Sequence, residues 1–358
     1  MKINNLRKES SERSDAANWA KTDLIQGTDY FFESIEGCNQ NTNNIVTHLF
    51  ERARFDLGIN DNDINEIKNM IIGLESLEVI IRKINFANLF NIPFSYVLYC
   101  DETETVYVFN FHTIDHFELI KTFNSYQAFS DWIAVIKGWK SNKTFRENPD
   151  LPEFDKRLRK CGTAWPTNLD CFFTDKQNNP IGIIEYQNAD RVGVNNHCNN
   201  DYFLCKMSST NQYGYPVYHD DIRRWTSQEI IRVQSGLRYF VVTWSSLNKH
   251  FTLKEIEKIT IPYFPTKPDG KPDWDYSNRY KAAMHQYSNN KNDVNKTKIL
   301  NNGKTLNLNK NNQNQILTTC NEPQLSVEAK TFPSIYYLYK KTSVEEVPSL
   351  VNDFKSLF

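Results

Sequence analysis

"NLDCFFTDKQNNPIGIIEYQ", residues 168–187, sets two apolar runs on either side of a polar insert that contains a proline. That pattern reads as a β-hairpin. Asp170 stands at the start of the first run and Glu185 near the end of the second. A charge inside a sheet is costly unless something pairs with it. With the turn centred between Gln177 and Asn178, residue i faces residue 355 − i, and Asp170 lies opposite Glu185. Moving the centre one residue on puts Gln187 opposite Asp170. In both registers the three share one face, because strand side chains alternate. An odd-sized loop instead pairs Asp170 with Tyr186.

Two carboxylates facing each other repel, and the repulsion grows as the site dries. A divalent cation removes that penalty. Mg²⁺ is held by one or two carboxylates with waters and phosphate oxygens, which suits Asp170 and Glu185. Mn²⁺ is the expected substitute. The Gln187 amide oxygen is placed to orient a coordinating or attacking water.

These residues resemble the nuclease core of the PD-(D/E)XK superfamily, which includes many restriction endonucleases. There an Asp opens one strand, a Glu-x-Lys closes the next, and a helix and a further strand follow. Here "WPTNLD" ends in Asp170, "IIEYQ" supplies Glu185 and position 187, and "TSQEIIRVQSGLRYFVVTW" matches the helix and strand. The resemblance covers about residues 150 to 265. Two departures stand out. Gln187 occupies the usual lysine position, as in the Glu-x-Gln sites of some restriction enzymes, and Pro166 precedes Asp170 by four residues rather than one. Glutamine carries no charge, so Lys206, Arg191 or Arg224 is left to supply a cation, or the site is inactive.

The resemblance implies a Mg²⁺-dependent endonuclease that hydrolyses phosphodiester bonds of DNA, in restriction or anti-phage defence. Asp170, Glu185 and Gln187 are its expected catalytic residues, and Asp170 and Glu185 its metal ligands. Glu153, at the start of a short helix, is a further metal-ligand candidate, although a Glu there also suits the helix dipole. Arg191, Arg223 and Arg224 are the expected nucleic-acid contacts, through phosphates. Enzymes of this fold that cut both strands usually act as dimers, so a homodimer is implied. The alternatives are a degenerate nuclease fold kept for DNA binding or assembly, an RNA-directed nuclease, and a protein-interaction scaffold.

The 358 residues suit two domains or one large one, and 39% hydrophobic with 24% charged content fits a globular protein. A net charge of −1 excludes a bulk positive field, so any nucleic-acid surface must be local. Seven scattered cysteines, an odd number, and a polar start without a secretory leader point to reduced thiols in the cytoplasm. No apolar run reaches the roughly 20 residues of a membrane helix. The cysteines form no tight Cys-x₂₋₄-Cys pair of the kind structural zinc uses. His48, His112, His116, His250 and His285 read as isolated, in packing or surface roles.

The expected architecture is α/β, a restriction-endonuclease-like central mixed sheet flanked by helices. Residues 1–145 form an N-terminal α+β region for DNA recognition or assembly, opening on a loose polar tail. Residues 146–287 form the nuclease core, 288–316 an Asn/Lys-rich flexible segment, and 317–358 a segment that docks back. One long buried helix is expected from Asp63, where Ile64, Ile67, Met70, Ile71, Leu74 and Leu77 keep helical spacing. A hairpin over 94–111 follows, then a helix with Phe129, Trp132, Ile133 and Ile136 on one face and Gly138 as its stop. "HDDIRRWTS" leads into a helix over 226–236, a strand follows over 237–244, and "TLKEIEKITIPYF" reads as a short helix and a strand.

Overall fold

The computed structural model describes residues 2–9, 28–41, 43–58, 62–138, 140, 149–189, 193–199, 205–210, 212–214, 216–220, 222–245, 247, 250–259, 297–299, 305–307, 335–340, 345–346, 352 and 356. The chain divides into two compact units. The first takes Met1–Asn188, Ile230–Val242 and Glu346–Phe358, and the second Ala189–Glu229 and Thr243–Glu345. The protein is α/β, with a large mixed sheet flanked by helices.

In the first unit the elements run β1 (Asn4–Arg7), β2 (Phe31–Gln40), β3 (Val46–Asp56), α1 (Ile64–Glu75), α2 (Leu77–Asn88), β4 (Phe94–Tyr99), β5 (Val106–Phe111), β6 (Phe117–Phe123), α3 (Tyr126–Lys137), α4 (Glu153–Lys160), β7 (Thr167–Thr174) and β8 (Pro180–Asn188). The strands lie in the order β8-β7-β2-β3-β4-β5-β6, and β1 pairs with the end of β3. Only β3 and β4 are parallel among these, since the α1–α2 crossover must return the chain to the same sheet edge. The polar start is therefore not all tail: Asn4 pairs with Asp56 and Arg7 with Arg54.

Alternation along β3 assigns the two faces of the sheet. Phe50 joins Val97, Tyr99, Tyr126, Phe129, Phe154 and Leu158 in a buried cluster under α3 and α4. Glu51 points to the other face, where Lys83 of α2 meets it at 3.0 Å. On that face Phe86 of α2 stacks on Phe172 of β7, with ring centroids 4.4 Å apart.

The long helix expected from Asp63 is two helices. Asp63 caps α1 as expected, accepting from the Glu66 amide at 2.6 Å. Ser76 then breaks the run with φ 83° and starts α2, its hydroxyl accepting from the Val79 amide at 3.3 Å. The apolar period continues through the break, so spacing alone hides it. Helix α3 matches its reading, with Phe129 and Ile133 buried and Gly138 closing it at φ 74° in the left-handed region.

Elements of the second unit are α5 (Val194–Asn199), the antiparallel pair β9 (Cys205–Thr210) and β10 (Pro216–Asp220), β12 (His250–Ile259), the small pair β13 (Thr297–Ile299) and β14 (Thr305–Asn307), and β15 (Ile335–Lys340). Helix α6 (Ile222–Ser235) and β11 (Arg238–Ser245) each belong partly to both units. "TLKEIEKI" is strand β12 rather than a helix. Burial of Lys254 and Glu255 overrides their helix preference, and Lys254 donates to the His197 carbonyl. Strand β15, from the C-terminal apolar segment, pairs antiparallel with β12. Most of the Asn/Lys-rich segment 288–316 lies outside the described residues. Among the described residues no helix is long and apolar enough to cross a membrane.

Candidate functional site

The hairpin that opened the sequence reading is β7 and β8. Cys171 pairs with Ile184, Phe172 with Ile183 and Phe173 with Gly182, so of the alternatives left open the register is i to 355 − i. It slips only at the turn, where Thr174 meets Pro180. Asp175 closes that turn by accepting from the amides of Gln177 at 2.9 Å and Asn179 at 2.8 Å. Gly182 is required by close approach: a Cβ there would lie 2.4 Å from the Phe173 ring.

Carried one step outward from the Cys171–Ile184 pair, the same register sets Asp170 against Glu185, with Gln187 two residues on along the same face. That is the face on which Phe172 stacks against α2. Asp170 is half-buried and marks where the regular pairing ends. Its Oδ2 accepts from the Tyr186 amide at 3.2 Å and its Oδ1 from Asn168 Nδ2 at 3.0 Å. Glu185 is buried, at 4% exposure, and Gln187 is half-buried. Next to them burial, and then the Cys171 thiol and Asp170, push the Tyr186 phenol well above its usual range.

The other expected site residues stand on other elements. Glu153 leads α4 and pairs with Arg157 at 3.1 Å, one turn on along the same helix. Arg223 and Arg224 sit in the first turn of α6, because the helix starts four residues before the expected Thr226. The cause is that "IRRW" continues the helical run and brings Trp225 into a buried position. Lys206 lies in β9, in register with His219. Arg191 lies outside the described residues.

A second concentration of buried charge escapes the sequence reading. Pairing of β2 with β3 begins at Gly37 and Phe50, and in the gap just before it a chain of ion pairs threads the sheet. On one side Asp155 of α4 holds Arg52 at 2.8 Å, and Arg52 holds Glu36 at 3.0 Å. On the other, Lys8 reaches Glu36 at 3.0 Å, Glu75 at 2.7 Å and Glu51. Lys83 meets Glu51 at 3.0 Å and Glu75 at 3.3 Å, and the Tyr96 hydroxyl donates to Glu75 at 2.8 Å.

Burial opposes the Glu75 charge, but Lys83 and Lys8 outweigh it and bring its pKa down to about 2. Burial and the neighbouring Glu51 raise Glu36. Burial also works against the Lys8 charge, yet Glu51, Tyr96, Glu36 and Glu75 hold its pKa well above the usual lysine range. The available sequence signal is "IIRKI" in α2, two cations inside an apolar helix. Arg82, the first of them, pairs with Glu33 at 2.7 Å.

The described cysteines Cys38, Cys100, Cys161 and Cys171 are free thiols. No protein-family model, curated protein or solved structure matches the chain.

Proposed function

We propose that the chain is a nuclease that hydrolyses phosphodiester bonds at the open end of the β7–β8 hairpin, with Mg²⁺ as its cofactor. The observation that carries this reading is the hairpin register, Cys171 against Ile184, which extended by one step would set Asp170 against Glu185 with Gln187 on the same face. The donor set is all oxygen, as a hard cation requires, and Asp170 and Glu185 would hold it. When bound, Mg²⁺ supplies charge stabilisation on the phosphate under attack. Gln187 accepts a hydrogen bond from the attacking water and aims it. The order α4, β7, β8, α6, β11 agrees with the restriction-endonuclease-like arrangement of the resemblance. DNA is the proposed substrate, in restriction or anti-phage defence, with Arg191, Arg223 and Arg224 contacting phosphates and Lys206 a further cation.

A second reading has a specific observation in its favour. Glu185 is buried at 4% exposure, and an uncharged Gln187 stands where a cation is usual. Both suit a nuclease fold retained for DNA binding or assembly without cleavage. Incubating the full chain with plasmid DNA and with RNA, under Mg²⁺, Mn²⁺ or chelator, separates the two. The expected result is metal-dependent cleavage of DNA that falls to background in Asp170→Ala and Glu185→Ala while both variants keep the wild-type circular dichroism. DNA binding without cleavage under either metal selects the second reading. Cleavage of RNA alone changes the substrate class.

A further inference from the structure

We propose that the tip of the β5–β6 hairpin is a second metal site, built by His112, His116 and Glu118 for a borderline divalent cation of the Zn²⁺ class. Sequence spacing treats the two histidines as isolated, but the hairpin register makes them opposite neighbours. Phe111 pairs with Phe117 and Asn110 with Glu118, and one step further out His112 faces His116. The His112 amide donates to the His116 carbonyl at 3.0 Å. The three-residue loop is pinned from inside, since the His116 amide donates to the Thr113 carbonyl at 3.2 Å and to Thr113 Oγ1 at 3.1 Å. On the opposite face Phe117 packs against Phe109 and Phe111 at 5.0 and 4.4 Å between centroids, which anchors the tip to the sheet. The three candidate ligands therefore stand on a fixed scaffold, on one face.

Their ligand atoms all lie within 4.8 Å of one another. His112 Nε2 and Glu118 Oε1 are 2.9 Å apart, and the imidazoles stack at 4.6 Å between centroids. Bonds of roughly 2.0–2.2 Å to a tetrahedral Zn²⁺ put neighbouring ligand atoms about 3.3 Å apart. Side-chain rotation at this exposed tip covers that small difference, with no change in the backbone. Two imidazoles with one carboxylate favour Zn²⁺, Cu²⁺ or Ni²⁺ over Mg²⁺, which takes oxygen ligands. Three protein ligands leave the fourth position to water or a small anion, as in open zinc sites. His116 and Glu118 are exposed and His112 is half-buried, so the tip is open to solvent.

The test uses the full chain, stripped with chelator and titrated with ZnCl₂ by calorimetry and with CoCl₂ by absorption spectroscopy. Expected are one Zn²⁺ bound per chain and a Co²⁺ spectrum lacking the near-ultraviolet thiolate band. Affinity should fall at least about tenfold in His112→Ala and in His116→Ala, and less in Glu118→Gln. None of these positions is buried, and matching thermal melts of the metal-free variants check that each is folded. Asp170→Ala with Glu185→Ala should leave the Zn²⁺ site unchanged, which separates it from the proposed nuclease site. The proposal is overturned if the wild type takes up no Zn²⁺. It is equally overturned if uptake survives the double histidine variant, or if the Co²⁺ spectrum shows thiolate ligation.

Discussion

Lys8 is the cation on which Glu36, Glu51 and Glu75 converge, and its removal tests what those contacts contribute. Glu75 is held at about 2, below its ordinary 4.5, so its stabilisation is complete above 4.5 and drains away as pH falls toward 2. Glu36 has the opposite sign. Its raised pKa means that ionising it costs stability, and protonation relieves that cost. Lys8→Met keeps most of the length of the side chain and leaves the three carboxylates, among the described residues, with Lys83 and Arg52 beside them. The variant should lose about 1–3 kcal/mol near neutral pH, less than a fully buried pair because Lys8 is 30% exposed. The deficit should narrow in acid as Glu36 and then Glu75 take up protons. Urea midpoints at pH about 7 and about 4 measure it. A deficit independent of pH would mean that lost packing, not charge, is responsible.

At the level of elements, the junction of α1 and α2 turns on Ser76, a non-glycine residue at φ 83°. Glycine occupies that conformation without a Cβ penalty and is only slightly poorer as an N-cap. Ser76→Gly should therefore hold stability or raise it by up to about 1 kcal/mol. Ser76→Ala keeps the strain and loses the hydroxyl cap, at a cost of about 1 kcal/mol. Thermal melts of the pair decide it, and equal losses in both would assign the junction to the cap alone. Elements closed by short-range signals were legible in the sequence: the β4–β5 and β7–β8 hairpins and α3 with its Gly138 stop, whereas the β7–β8 register stayed open between alternatives until the pairing of Cys171 with Ile184 fixed it. Three others were not. The Ser76 break leaves the apolar period intact. In β12, Lys254 and Glu255 are helix formers that burial turns into strand residues. Strands β2 and β3 carry Glu33, Glu36, Glu51 and Arg52 in their interiors, which interrupts the alternation that marks a strand.

Across the whole chain, what stayed unread is what long sequence separation hides. Lys8 and Glu51 are 43 residues apart, Arg52 and Asp155 103, and no local pattern announces either pair. The His112–His116 pair escaped for a different reason, because their spacing is short but becomes a facing pair only once the β5–β6 register is known. The ion chain has a consequence for how the protein is made. At synthesis rates of about 5–20 residues per second, Lys8 leaves the ribosome seconds before Glu36, Glu51 and Glu75 have all followed it. A half-assembled buried ion cluster is worse than none, so β1 gains its place only when β2, β3, α1 and α2 are in place together. A four-residue strand paired along one side ordinarily frays and exchanges its amide protons quickly. Here the amides of β1 should exchange at the rate of global unfolding, in step with β3, and Lys8→Met should release β1 to fast exchange while β3 stays slow. A strand synthesised before all of its partners would then be the last of them to lock.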